Sequence, residues 1–107
     1  AVAMRNDVID AHPWLPEAVF NAYVQAKQMH YETMRGQWIF GTLPWFGQEF
    51  EETKALMGEN FWPYGIEANR VTLDALFQYS YEQRLAKKRL TVEELFHPAS
   101  MHLTDDV

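Results

Sequence analysis

Apolar residues recur at three- and four-residue steps in three stretches of the chain, a spacing that predicts three amphipathic helices. In the first, Leu15, Ala18, Val19, Ala22, Ala26, Met29 and Thr33 line one side, while Glu17, Asn21, Gln25, Gln28 and Glu32 fill the other. His12-Pro13-Trp14 opens this helix, and Gly36 is placed to cap it, so it is expected to close near Met34. The second stretch carries Phe46, Phe50, Thr53 and Met57 on one face and turns Glu49, Glu51 and Glu52 to water. Its expected N-cap is Thr42, with Pro44 in the first turn and Gly58 closing it. The third runs from about Asn69 to Leu85, with Leu73, Leu76, Phe77, Ser80 and Arg84 in step and Tyr79 and Tyr81 widening the stripe.

Between these helices the pattern breaks. Gln37 to Thr42 reads as a loop, and Gly58 to Ala68 holds two Gly, one Pro and three aromatics, so it cannot be helical throughout. Thr91 and Glu94 have the T-x-x-E spacing of a capping box, predicting one short turn over Val92 to Phe96 that Pro98 ends. Residues 99–107 are expected to be a flexible tail. At the start, Ala1 to Met4 is a short apolar run closed by Arg5-Asn6-Asp7, read as the end of a strand entering a helix with Asn6 or Asp7 as N-cap. No second strand is at hand to satisfy its backbone, so it is expected to pair outside this chain. The expected class is mainly α with one short strand at its start, and the chain reads as the C-terminal part of a longer protein.

Composition narrows the function. Nine Lys and Arg stand against fifteen Asp and Glu in 107 residues, a formal charge of −6. The basic residues cluster only at Lys87-Lys88-Arg89, so the electrostatic footprint of a nucleic-acid binder is missing. With zero cysteines, disulfides, thiolate zinc sites and thiol nucleophiles are excluded. No apolar run reaches the ~20 residues of a membrane span. Aromatic residues make up 15% of the chain, more than a small helical unit can bury by itself, which points to a partner surface.

Candidate chemistry is sparse. His30, His97 and His102 with many carboxylates could ligate a metal, and Glu94-Leu95-Phe96-His97 has the E-x-x-H spacing of di-iron bundles. Such a bundle needs two of these motifs and two further Glu, so no metal is expected; Glu94 reads as a capping residue and His97 as a helix-end histidine. The two serines, Ser80 and Ser100, lack a nucleophile-elbow context, and neither a phosphate loop nor a dinucleotide fingerprint occurs. Glu49, Glu51 and Glu52 read as a solvated face. The loop Asn60 to Gly65, N-F-W-P-Y-G, offers more: three aromatics held by Pro63 and Gly65 can form an apolar wall with a phenol and an indole N–H as polar handles. The competing reading is a loop that plugs a core.

The segments "MRNDV…HPWL", "LPWF…EETKALMG", "FWPYGIEANRVTLDAL" and "YSYEQRL…LTVEELFHP" together resemble the C-terminal third of the 4,5-dihydroxyphthalate decarboxylase family, over about residues 1–98. That family is similar to the type II periplasmic-binding-protein superfamily, two α/β lobes around a ligand cleft. The resemblance implies that residues 1–98 are the C-terminal helical part of such a protein, packed against the N-terminal lobes, with 99–107 as tail. It implies a decarboxylase converting 4,5-dihydroxyphthalate to protocatechuate in bacterial phthalate breakdown, cytoplasmic unless an export signal precedes, and using no cofactor. The alternative it leaves is the solute-binding component of an ABC-type uptake system for a small aromatic or carboxylated compound, which binds without turnover and is periplasmic. Losing CO2 from an electron-rich ring needs groups that hold carboxylates and an acid that protonates ring carbon. Trp62, Tyr64 and Arg70 are the expected substrate-binding residues, with Arg5 a further carboxylate holder. The catalytic residues are not assigned on this chain, and the segment alone is expected to be inactive.

Overall fold

The computed structural model describes residues 1–36 and 44–105. Along these run α1 (Asn6–Ala11), α2 (Leu15–Gly36), α3 (Phe46–Met57), α4 (Ile66–Glu82) and α5 (Val92–Leu95), followed by a 3-10 turn, Pro98–Ser100. The mainly helical class is as expected. Ala1 to Met4 form no strand; Arg5 is the extended residue before α1 and serves as its N-cap in place of Asn6 or Asp7. The Asp7 carboxylate is engaged by the Arg5 guanidinium, so it does not cap the backbone. Among the described residues the β pairing is a single antiparallel bridge, Gly65 with Thr104.

The long helix α2 buries a different stripe from the one its alanines trace. Pro16 and Tyr31 are buried with Lys27 between them, and Phe20 and Val24 are half-buried, whereas Ala18, Ala22, Ala26 and Met29 face water. Positions 16, 20, 24, 27 and 31 also step by three and four, and their larger side chains remove more apolar surface from water than alanine can. Gly36 lies within α2, and the expected Gln37–Thr42 loop and Thr42 cap fall outside the described residues. Helix α3 starts at Phe46 and ends at Gly58, whose φ of +90° is a backbone conformation suited to glycine. Met57, expected on its inner face, is exposed.

Helix α4 begins three residues earlier than Asn69, at Ile66, with Gly65 as N-cap. Asn69 lies inside the helix and donates its amide to the Pro63 and Gly65 carbonyls, both at 2.8 Å, so it stitches the preceding loop onto the first turn. The helix ends at Glu82 instead of Leu85, because Arg84 turns to φ +60° and the Leu85 and Ala86 amides fold back on the Ser80 carbonyl. The capping box forms in full: Thr91 Oγ1 accepts from the Glu94 amide, and the Glu94 carboxylate accepts from the Thr91 amide. Ile66, Phe77 and Val92 make the core where α4 meets α5, with Leu73, Leu90, Phe96 and Met101 packed against it.

Where the sequence predicts a flexible tail over 99–107, residues 99–105 make defined contacts. The Pro98–Ser100 turn packs on α2, and Leu103 and Asp105 are buried. Composition hides this placement, because the partners of Asp105 lie on elements far away in sequence.

The molecule is open for its size. Its radius of gyration is 17.2 Å, where a compact domain of about 100 residues has about 13 Å. Its accessible surface is 8526 Å2, against roughly 6200 Å2 for a compact monomer of this mass. Trp14, Trp45, Leu56, Val71 and Leu85 are among the large apolar side chains left in water. The aromatic surplus in the composition is thus an observed exposure.

Candidate functional site

The loop from Gly58 to Gly65 is held at both ends by glycine backbone conformations, φ +90° and φ +106°. At Gly65 a Cβ would lie 2.7 Å from the Leu103 carbonyl oxygen, so the close approach of residues 103–104 requires glycine there. The three loop aromatics divide. Phe61 turns inward, stacked on Tyr31 at 4.9 Å between centroids and edge-on to Phe50 at 5.9 Å, which pins the loop to α2 and α3. For Phe61 the core-plug reading is the one the packing supports. Trp62 is 70% exposed. Tyr64 is half-buried, and the Lys27 ammonium stands 4.4 Å from its ring centroid, within cation–π range.

Lys27 is the centre of a buried polar cluster. Its three donors are used by the Asn60 side-chain oxygen at 2.9 Å, the Trp62 carbonyl at 2.9 Å and the Asp105 carboxylate. Asp105 accepts in addition from the Tyr64 amide at 2.9 Å and the Asn60 amide group at 3.3 Å. Only 6% of the Lys27 side chain and 3% of the Asp105 side chain remain exposed. Buried charge is tolerated when paired and fully hydrogen-bonded, and this pair is both. The neighbouring Tyr31 hydroxyl is buried; burial disfavours its phenolate and raises its pKa, and the nearby Trp62 backbone acts in the opposite direction without completing a hydrogen bond among the described residues.

Arg70 is occupied. Its Nε donates to Glu67 at 3.1 Å and its NH1 to Glu93 at 3.1 Å. The bonds to Glu67 and then Glu93 push the guanidinium further toward its charged form. The same contact with Arg70 holds the Glu67 carboxyl below the ordinary range. Arg5 is likewise engaged by Asp7. Trp62 and Tyr64 therefore share one loop, and Arg70 enters it at one remove, through its neighbour Asn69.

Glu94 and His97 have local partners. Glu94 receives Lys88 as well as Thr91, and His97 Nδ1 accepts from the Ala99 amide at 3.1 Å. Among the described residues no group of three or more His, Asp or Glu is placed to hold a metal ion. A depression of about 200 Å3 lies at the end of α4, lined by Leu76, Phe77, Ser80, Leu85, Ala86 and Leu90. Ser80 is its only polar side chain, too little for acid–base chemistry.

The sequence pattern marks neither Lys27 nor Asp105 for a site, and Asn60 only as the start of the aromatic loop. A signal for the first exists: Lys27 continues the stripe of Phe20, Val24 and Tyr31, and a cation on a buried stripe must find a counter-charge.

No protein-family profile matches the chain. Over 101 residues, 94% of its length, the chain is 31% identical to the 4,5-dihydroxyphthalate decarboxylase of Comamonas testosteroni, which makes the two distant relatives. The chain spans about a third of the length of that relative, 31%. No described helix is long and apolar enough to cross a membrane.

Proposed function

We propose that this chain is the C-terminal helical portion of a 4,5-dihydroxyphthalate decarboxylase-like protein, a carbon–carbon lyase acting on a small aromatic dicarboxylate. The observation that carries the reading is the 31% identity over nearly the whole chain. Two features support it. The open shape and exposed apolar side chains fit a unit that packs against further lobes, for which a type II periplasmic-binding-protein-like body is the proposed partner. The exposed indole of Trp62 beside Tyr64 offers a flat apolar face to an aromatic ring.

In this reading the ligand ring stacks on Trp62, and the Tyr64 phenol hydrogen-bonds a ligand oxygen. Arg70 joins if an incoming carboxylate exchanges with Glu93 or Glu67, both exposed partners. Decarboxylation breaks the bond from ring carbon to carboxylate and leaves the electron pair with the ring. A proton adds at that carbon, the ring hydroxyl para to it donates electron density to the protonated ring, and the pair from the broken carbon–carboxylate bond restores aromaticity as CO2 leaves. The chain binds and orients, and the proton donor belongs to the lobes.

The test is direct. The full-length protein containing this chain, incubated with 4,5-dihydroxyphthalate, should release CO2 and form protocatechuate. Tight binding of the diacid with neither product formed would replace the lyase by a solute-binding protein.

A further inference from the structure

We infer that Asp105 is a positioning residue for the aromatic loop, setting through Lys27 and the Tyr64 amide where Trp62 and Tyr64 stand; its bearing on ligand rests on the function proposed above. The loop has four points of backbone or amide attachment to this one cluster. Asn60 gives its side-chain oxygen to Lys27 and its amide to Asp105, Trp62 gives its carbonyl to Lys27, and Tyr64 gives its N–H to Asp105. Next to them, Gly65 bridges to Thr104. Every second residue from 60 to 64 is thus tied to residues 103–105 or to α2.

A core plug does not require this arrangement. Phe61 already supplies the plug through Tyr31 and Phe50, and a buried ion pair is frequently no more stabilising than apolar residues of the same volume. What directional bonds add is a fixed orientation of the backbone that carries the exposed side chains. Trp62 is 70% exposed, its ring meeting Phe61 at 6.2 Å between centroids, and the backbone that carries it is fixed by a carbonyl bonded to a buried ammonium. The Tyr64 ring is set twice, by its amide on Asp105 and by Lys27 against its face. Binding surfaces gain affinity when such groups are ordered beforehand.

The experiment compares three variants in the full-length protein: Asp105→Asn, which keeps shape and one acceptor oxygen; Asp105→Glu, the conservative change; and Lys27→Met with Asp105→Leu, which replaces the pair by apolar volume. Melting temperature, the 19F signal of 5-fluorotryptophan at position 62 (assigned by its loss in Trp62→Phe), and calorimetric affinity for 4,5-dihydroxyphthalate per folded molecule are read on each. The apolar pair leaves the Asn60, Trp62 and Tyr64 groups without these partners, so it should melt below the native protein but above Asp105→Asn, broaden or shift the Trp62 signal and bind the diacid about tenfold more weakly. Asp105→Asn should lose both stability and affinity, and Asp105→Glu should recover part of each. A native Trp62 signal in the apolar double variant overturns the positioning role, whatever the protein binds. A displaced Trp62 signal with affinity unchanged there and in Trp62→Ala leaves the positioning role standing and removes the loop from the ligand site.

Discussion

Lys27 and Asp105 form a buried ion pair although 78 positions separate them in the chain. The pair joins the middle of α2 to the segment after the Pro98–Ser100 turn, and the aromatic loop is clamped between the two. Each partner has further bonds that could not be replaced by water without opening the structure, so the pair and the loop form one unit.

Removing one charge of the pair should therefore cost more than removing both. Asp105→Ala leaves a buried ammonium without its counter-charge and is expected to cost about 3–5 kcal/mol. Lys27→Met with Asp105→Leu should recover part of that, short of the whole because the Trp62 carbonyl and Tyr64 amide lose their partners. Urea unfolding of the three proteins measures the difference, and equal losses in the single and double variants would contradict it.

The loop aromatics should separate stability from affinity. Phe61→Ala is expected to cost on the order of 3 kcal/mol of stability, since its ring packs on Tyr31 and Phe50. Trp62→Ala should change stability by no more than about 0.5 kcal/mol, as expected for an exposed position. It should weaken binding of the aromatic diacid by ~1 kcal/mol or more. Melting and calorimetry on the same samples decide both.

Gly58 and Gly65 share a glycine backbone conformation but not an environment. A Cβ at Gly58 meets nothing within 4 Å, so Gly58→Ala should show backbone strain alone, about 1–3 kcal/mol. Gly65→Ala should cost roughly 1–3 kcal/mol more, because its Cβ runs into the Leu103 carbonyl. A smaller loss at 65 than at 58 would show that residues 103–104 yield freely.

Arg84 holds φ +60° at the end of α4 with no glycine to ease it. Arg84→Gly should stabilise the protein by roughly 1 kcal/mol, the usual penalty of this conformation for a residue with a Cβ. A lowered denaturation midpoint would count against the assignment.

Acid should loosen the α4–α5 region. The Glu94 carboxyl is held below its ordinary 4.5 by Lys88 and then the Thr91 amide, and Glu67 by Arg70. Glu93 is also lowered, first by its own backbone and then by Arg70. A folded value below the unfolded one contributes stability that is complete above the unfolded value and lost as pH falls through the folded value. Unfolding midpoints should therefore decline below about pH 4.5, and Glu94→Gln should flatten part of that decline. Thr91→Ala should cost about 1 kcal/mol at neutral pH.

Local signals in the sequence were reliable where the physics is local. The Thr91–Glu94 box, the Gly58 stop and the helical character of α2 to α4 follow from neighbours within four residues. On α2 the in-step alanines point to a face that stays in water, because Phe20, Val24 and Tyr31 outweigh several alanines in buried area. Helix α4 starts early because Asn69 bonds backward to Pro63 and Gly65 from within the helix. Nothing near Asp105 in sequence marks it for burial; its partners at 27, 60 and 64 are close only in space.

That separation orders events as the chain is made. At ~5–20 residues per second, residue 105 follows residue 27 from the ribosome by roughly 4–16 seconds. Through that interval Lys27 has no counter-charge, and its helix waits with a cation on the stripe it must bury. A nascent chain halted before Asp105 should leave the Lys27 amine open to acylating reagents, and a chain halted far enough beyond Asp105 to bring that residue out of the ribosome should protect it.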